Sequence, residues 1–224
     1  MAATAGTRSE RKAPSRKPPA TRWGDREGRR RDILAAARQQ LAEHGYLALN
    51  VRDIAQGAGV SPGTVYSYFA TKAEIFATLY AEAIEAHNRR IAPMCARADD
   101  LARLLTELAT AYLDLYGTYG RSFTVWSVEH GDDQPGDHDL PADLLALLHG
   151  AAMDQGELVM AGIRRAADAQ GLTLVDEPFI MPFVWMTFTG IAENLTGERR
   201  RLSGHQSDAV IAHAARAIAA GITA

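Results

Sequence analysis

Residues 50–76 read NVRDIAQGAGVSPGTVYSYFATKAEIF, and this stretch decides the fold. Asn50 is of the residue type that caps helices, and Asp53 stands three positions on to answer it. Val51, Ile54, Ala55 and Ala58 follow at i, i+3, i+4 and i+7, which makes one apolar stripe on a helix. Gly59 sits where a left-handed residue ends a helix, and Val60 tucks in at the corner. Ser61 caps the next helix, and Pro62 fits its first turn, where no N–H partner is needed. Two helices joined by so short a glycine-containing turn form a helix-turn-helix.

The second helix is expected over residues 62–69. Val65 and Phe69 are i, i+4 partners and face the core. At about 100° per residue, the opposite face carries Gly63 and Ser67, with Thr64 beside them and Tyr66 and Tyr68 on the flanks. That face has hydroxyls and aromatic rings but no charge. It suits a major groove, where hydroxyls bond bases or phosphates and apolar edges meet thymine methyls. Thr71 caps a third helix, with Glu74 completing a capping box. Lys72 lies in the first turn, where its charge opposes the helix dipole, a position that fits a phosphate ligand.

These residues resemble the DNA-binding unit of TetR-family transcriptional regulators. The likeness lies in the Ile54–Ala55 pair, the Ala-Gly-Val-Ser turn at 58–61, the Gly-Thr-x-Tyr-x-Tyr-Phe helix at 63–69, and Lys72 with Phe76. It reaches back through Gly45 and Tyr46 and so covers roughly residues 29–76. The family usually has Thr where this chain has Asn50; both can cap and both can reach a phosphate. The resemblance implies DNA contacts from Thr64, Tyr66 and Tyr68, with Gly63 close to base edges and Asn50 and Lys72 on phosphates. Tyr66 is either a contact or a packing residue. Ser61 and Ser67 belong to the same surface, Ser61 first of all as a cap.

The charge distribution points the same way. Residues 1–31 hold ten basic and three acidic side chains, a net +7, and the remainder carries −10. The near-neutral total of −3 thus hides a basic end on an acidic body, an asymmetry that suits a polyanionic partner. Residues 1–24, rich in Pro, Arg and Lys, read as a disordered arm, either a DNA-binding tail or a solubilising one. Arg29 and Arg30 lead into the first helix and add phosphate contacts.

Nearly everything beyond the arm reads as helix, so the fold class is all-α. Helices are expected over about 26–44, 50–58, 62–69, 71–91, 99–118, 121–130, 141–169, 177–197 and 206–221. The domains are then the arm (1–24), a helix-turn-helix domain (25–76) and a helical domain (77–224). The resemblance implies that this last domain binds a ligand and dimerises. Its candidate ligand contacts are Tyr112, Tyr116, Trp126, His130, Met153, Phe183, Trp185 and Asn194, of types that line adaptable apolar pockets and also fill ordinary cores. The final helices are the candidate dimer interface. The stripe of Ile211, Ala215 and Ile218 faces either a partner or its own domain.

At 47% hydrophobic residues, the chain has enough apolar content for a core. Its lone cysteine, Cys95, excludes an intramolecular disulfide. The longest uncharged apolar run, residues 178–192, is shorter than the ~20 residues a spanning helix needs, so no membrane partner is expected. The acidic loop 131–139 holds His and Asp at a spacing that fits no metal motif, and no metal or cofactor is expected. There is no phosphate loop, nucleophile elbow or zinc-protease motif, so no enzyme is expected. The expected protein is a cytoplasmic, homodimeric repressor. It binds a pseudo-palindromic operator in double-stranded DNA and is released by a largely apolar small-molecule effector. The alternative is a DNA-localised adaptor whose C-terminal domain binds a protein partner.

Overall fold

The computed structural model describes residues 25–123, 140–196 and 207–224. They form eight α-helices and one π-helical turn. The helices are α1 (Arg26–Ala48), α2 (Val51–Gly57), α3 (Pro62–Tyr66), α4 (Lys72–Ala96), α5 (Leu101–Leu115), α6 (Ala142–Gln170), α7 (Glu177–Leu195) and α8 (Ser207–Gly221). The π-helical turn, Tyr116–Gly120, follows α5 directly. Among the described residues the only β-type pairing is an isolated bridge between Leu174 and Thr223. The arm, the acidic loop, Trp126 and His130 lie outside the described residues.

Five helices start on a side chain that accepts from a backbone N–H of the first turn. Asp25, Asn50, Ser61, Thr71 and Asp100 cap α1 to α5. Each such cap contributes about 1 kcal/mol. Gly45 (φ +75°) and Gly59 (φ +65°) take left-handed conformations, which a side chain disfavours. At Gly45 the chain leaves α1's regular path for one more turn, which drops Tyr46 into the core.

The described residues pack around two cores. In the first, Ile33, Leu34, Ala37 and Leu41 of α1 meet Ile54 and Ala55 of α2, Val65 of α3 and Phe69. In the second, α5, α6, α7 and α8 meet the far end of α4. Helix α4 serves both: Ile75, Phe76 and Leu79 belong to the first core, Ile91 and Cys95 to the second.

Three expectations change. The third helix of the helix-turn-helix region was expected to stop before Pro93, yet α4 continues through it to Ala96. A proline removes one ladder bond, but Cys95 and Ala98 are buried in the second core, and that packing holds the turn in place. The helix expected over 62–69 is shorter. Regular α-geometry ends at Tyr66, and tighter bonds from Ser67 N to Thr64 O and Tyr68 N to Val65 O carry the chain to Phe69. The α8 stripe of Ile211, Ala215 and Ile218 is turned inward, each at most 2% exposed, in the second core. Buried there, these side chains present no surface to a partner. Exposed apolar side chains lie instead on α7, at Phe179, Phe183, Trp185 and Met186, and on α6, at Leu145, Leu147 and Met153.

Candidate nucleic-acid interface and effector cavity

Val65 and Phe69 anchor α3 by full burial, which turns the other side of the helix to solvent. Ser61, Gly63, Tyr66 and Ser67 are exposed and Thr64 is half-buried. Tyr66 is 56% exposed, so of its two readings the packing one does not apply. Tyr68 is half-buried against the first core, with the Arg26 guanidinium 5.7 Å from its ring centre.

The hydroxyls on this face are already ordered. Ser61 Oγ accepts from Thr64 N at 3.1 Å and lies 2.9 Å from Thr64 Oγ1. Ser67 Oγ donates to Thr64 O at 2.7 Å. Each hydroxyl keeps acceptor capacity toward solvent. Asn50 is more committed: Oδ1 accepts from Asp53 N at 2.9 Å and Nδ2 donates to Asp53 Oδ2 at 2.6 Å. Its placement is that of a helix cap.

The basic residues fall into two groups. Lys72 Nζ lies 4.6 Å from the centre of the Tyr46 ring, half-buried at the start of α4. Arg30 is drawn toward the protein, 5.3 Å from the Phe69 ring centre and 3.9 Å from Glu82. Arg38 makes the closer pair with Glu82, at 2.8 Å. Arg29 is half-buried on α1.

A second feature lies between α4, α5, α6 and α7. It is a cavity of about 740 Å³, within the range of small-molecule sites. Helix α4 lines it with Tyr80, Ile84, His87 and Ile91, at i, i+4, i+7 and i+11. Tyr112 and Trp185 are the two candidate ligand residues that reach it. Phe123 and Phe188 line it as well. Tyr116 instead hydrogen-bonds Glu193, and Met153, Phe183 and Asn194 are exposed outside the lining. The α4 stripe was the signal missed: apolar spacing reads as core, and only the fold reveals that a void lies in front of it.

Burial disfavours the charged form of three groups at the cavity, Tyr80, His87 and Tyr112. Burial pushes the Tyr80 hydroxyl well above its usual range. Burial, aided by Arg90, lowers His87 to about 4, with Asp114 opposing. The Tyr112 hydroxyl lies 3.0 Å from Thr189 Oγ1, and burial raises its pKa.

The described residues thus form a helix-turn-helix unit with an exposed, hydroxyl-bearing helix, joined through the long helix α4 to a helical unit with a cavity. Residues 33–79 match the family described as bacterial regulatory proteins, tetR family. The HTH-type transcriptional repressor KstR2 of Mycobacterium tuberculosis is 44% identical over 52 residues, 23% of this chain and 26% of that protein. The fatty acid metabolism regulator protein of Bacillus subtilis is 44% identical over 50 residues, 22% and 26% of the two chains. The matched region thus spans about a quarter of the length of these curated relatives.

The likeness in fold runs further. The transcriptional regulator FadR from Bacillus subtilis, solved in complex with stearoyl-CoA, aligns with 86% of this chain and 99% of its own, at TM-score 0.63 and 17% identity. A TetR family transcription regulator from Marinobacter aquaeolei aligns over 88% and 96%, at TM-score 0.57 and 17% identity. The fold is that of the all-α TetR-type regulators. No described helix is long and apolar enough to cross a membrane.

Proposed function

We propose that this protein is a transcriptional repressor that binds a pseudo-palindromic operator as a dimer and is released by an apolar small molecule. One observation carries the reading: α4 is built into the helix-turn-helix core at one end and lines the 740 Å³ cavity further along. Matter entering the cavity therefore meets the same rigid element that positions α3. The names of the relatives support it, one a repressor and one a regulator of fatty acid metabolism. The stearoyl-CoA complex of a protein of like fold supports a small-molecule effector.

In this reading Gly63, Thr64, Tyr66 and Ser67 meet base edges, while Tyr68, Lys72 and Arg29 hold the backbone. One short helix reads only a few base pairs, so two copies are needed, with half-sites spaced by the dimer. The exposed α7 face, with Phe179, Phe183 and Met186, is the proposed dimer contact. An effector acts only as far as it binds one dimer geometry better than the other.

Selection from a random DNA pool tests the reading. A recovered inverted repeat, lost with Tyr66→Ala and with a Phe183→Glu variant that sediments as a monomer, supports it. Recovery of no preferred sequence by the purified chain overturns it.

A further inference from the structure

The effector's chemical class follows from what lines the cavity. Nineteen described residues face it, and none is Asp, Glu, Lys or Arg. Its titratable members are two tyrosines and two histidines. Half-buried Tyr80 and Tyr112 and buried His87 sit in surroundings that disfavour charge. A carboxylate, phosphate or ammonium drawn inside would lose its water and find no counter-ion among the described lining residues. The acidic body, −10 beyond residue 31, adds a long-range field that repels anions.

The cavity nevertheless offers hydrogen bonds. Among the described residues neither the Tyr80 hydroxyl nor the His87 ring has a hydrogen-bond partner, and both line the cavity. A protonated phenol and a neutral imidazole can each donate one hydrogen bond. Seven residues apart on α4, they lie about 10 Å apart along the helix axis.

We infer that the cavity takes an uncharged, elongated, apolar molecule with an oxygen that accepts a hydrogen bond from α4, and that it rejects free carboxylates and acyl-CoA thioesters. This rests on the cavity being the effector site. It also separates this chain from the stearoyl-CoA complex of its structural relative.

The test uses the full chain and a neutral fluorescent reporter, N-phenyl-1-naphthylamine, at pH 7.5. Methyl laurate, laurate and lauroyl-CoA compete for it; they share one acyl chain and differ at the head. Methyl laurate is expected to displace the reporter at a concentration at least ten-fold lower than either charged competitor. Gln155→Lys, which adds a cation at a half-buried lining position, brings laurate to within about two-fold of the ester, and Gln155→Leu does not. Tyr80→Phe combined with His87→Phe removes both candidate donors and weakens the ester by about five- to ten-fold, the worth of one hydrogen bond.

Gly156 supplies the control for location, since a side chain there enters open space. Gly156→Trp is expected to abolish reporter uptake. Equal competition by laurate or lauroyl-CoA overturns the inference and leaves the effector site standing. No reporter uptake by the unaltered chain, or full uptake by Gly156→Trp, overturns the effector-site reading and the inference with it.

Discussion

Tyr80 stacks on Phe76 with ring centres 6.0 Å apart and planes within 6° of parallel. Tyr80 faces the cavity, and Phe76 is fully buried in the helix-turn-helix core. The contact continues both ways: Phe76 meets Tyr46 edge-on at 5.0 Å, and Tyr80 stacks on Phe123 at 4.7 Å. The π-helical turn joins in through Tyr119, 6.1 Å from Tyr80, and just beyond it Ser122 Oγ accepts from Tyr46 N at 3.2 Å. Aromatic pairs of this kind contribute about 0.5–1.5 kcal/mol each, and their preferred geometries are few, so a shift at one ring is passed to the next.

Tyr80→Leu therefore uncouples the two ends. Allosteric coupling is typically 1–3 kcal/mol, or roughly 5- to 150-fold in affinity. With effector at saturation, the unaltered protein loses operator affinity within that range, and Tyr80→Leu loses less than about three-fold. Operator titrations with and without effector measure this. An undiminished effector response in Tyr80→Leu would remove the stack from the pathway.

Base readers and phosphate holders separate by their salt dependence. Tyr66 is exposed on α3 and uncharged, whereas Lys72 carries its charge at the start of α4. Tyr66→Ala is expected to weaken operator binding by about 1–3 kcal/mol while leaving the salt slope unchanged. Lys72→Gln weakens operator and random DNA alike and flattens the slope of log K against log salt by about 0.9. Binding isotherms at four salt concentrations distinguish the two. A Tyr66→Ala protein that loses affinity equally for every sequence would make Tyr66 a backbone contact.

His87 makes stability depend on pH in a defined window. It is 7% exposed, and its pKa falls from 6.5 to about 4 on folding. Between those values the unfolded chain binds more protons, so this group's stabilisation is complete above pH 6.5, declines as pH falls, and levels off below pH 4. The charged groups that tune it, Arg90 and Asp114, lie 2.7 Å apart. His87→Gln is expected to flatten the fall in Tm between pH 6.5 and 4. The difference from the unaltered chain approaches about 3 kcal/mol at the acid end. Parallel curves for the two proteins would mean that His87 ionises as readily folded as unfolded.

The helix-turn-helix was legible because its determinants are local. Each cap and its partner lie three residues apart, at Asn50 and Asp53, Ser61 and Thr64, Thr71 and Glu74, and the turn needs one left-handed glycine at 59. The cavity was not legible, because its wall is assembled from α4, α5, α6 and α7, segments a hundred residues apart between Tyr80 and Trp185. Periodicity marks Tyr80, Ile84, His87 and Ile91 as one face but is silent on whether that face meets side chains or a void. The same limit left α8 open: Ile211, Ala215 and Ile218 form a real stripe, and only packing in the second core reveals which way it turns. Pro93 shows local propensity overruled by tertiary burial of Cys95 and Ala98.

Glu82 restrains two arginines of α1. It pairs with Arg38 at 2.8 Å and Arg30 at 3.9 Å, tying α1 to α4, and every partner is at least a third exposed. Exposed pairs of this kind contribute under about 1 kcal/mol to folding, so Glu82→Gln should leave Tm almost unchanged. Its larger effect is on charge. Two guanidiniums lose their carboxylate, and the surface around α1 becomes one unit more positive. Phosphates then compete for arginines that Glu82 had held, so operator binding tightens by about two- to ten-fold and its salt slope steepens by about one. Random-sequence DNA gains as much as operator, because phosphate contacts carry no base information. An unchanged slope in Glu82→Gln would place Arg30 and Arg38 away from the DNA and leave Arg29 and Lys72 as the basic contacts of the folded domain.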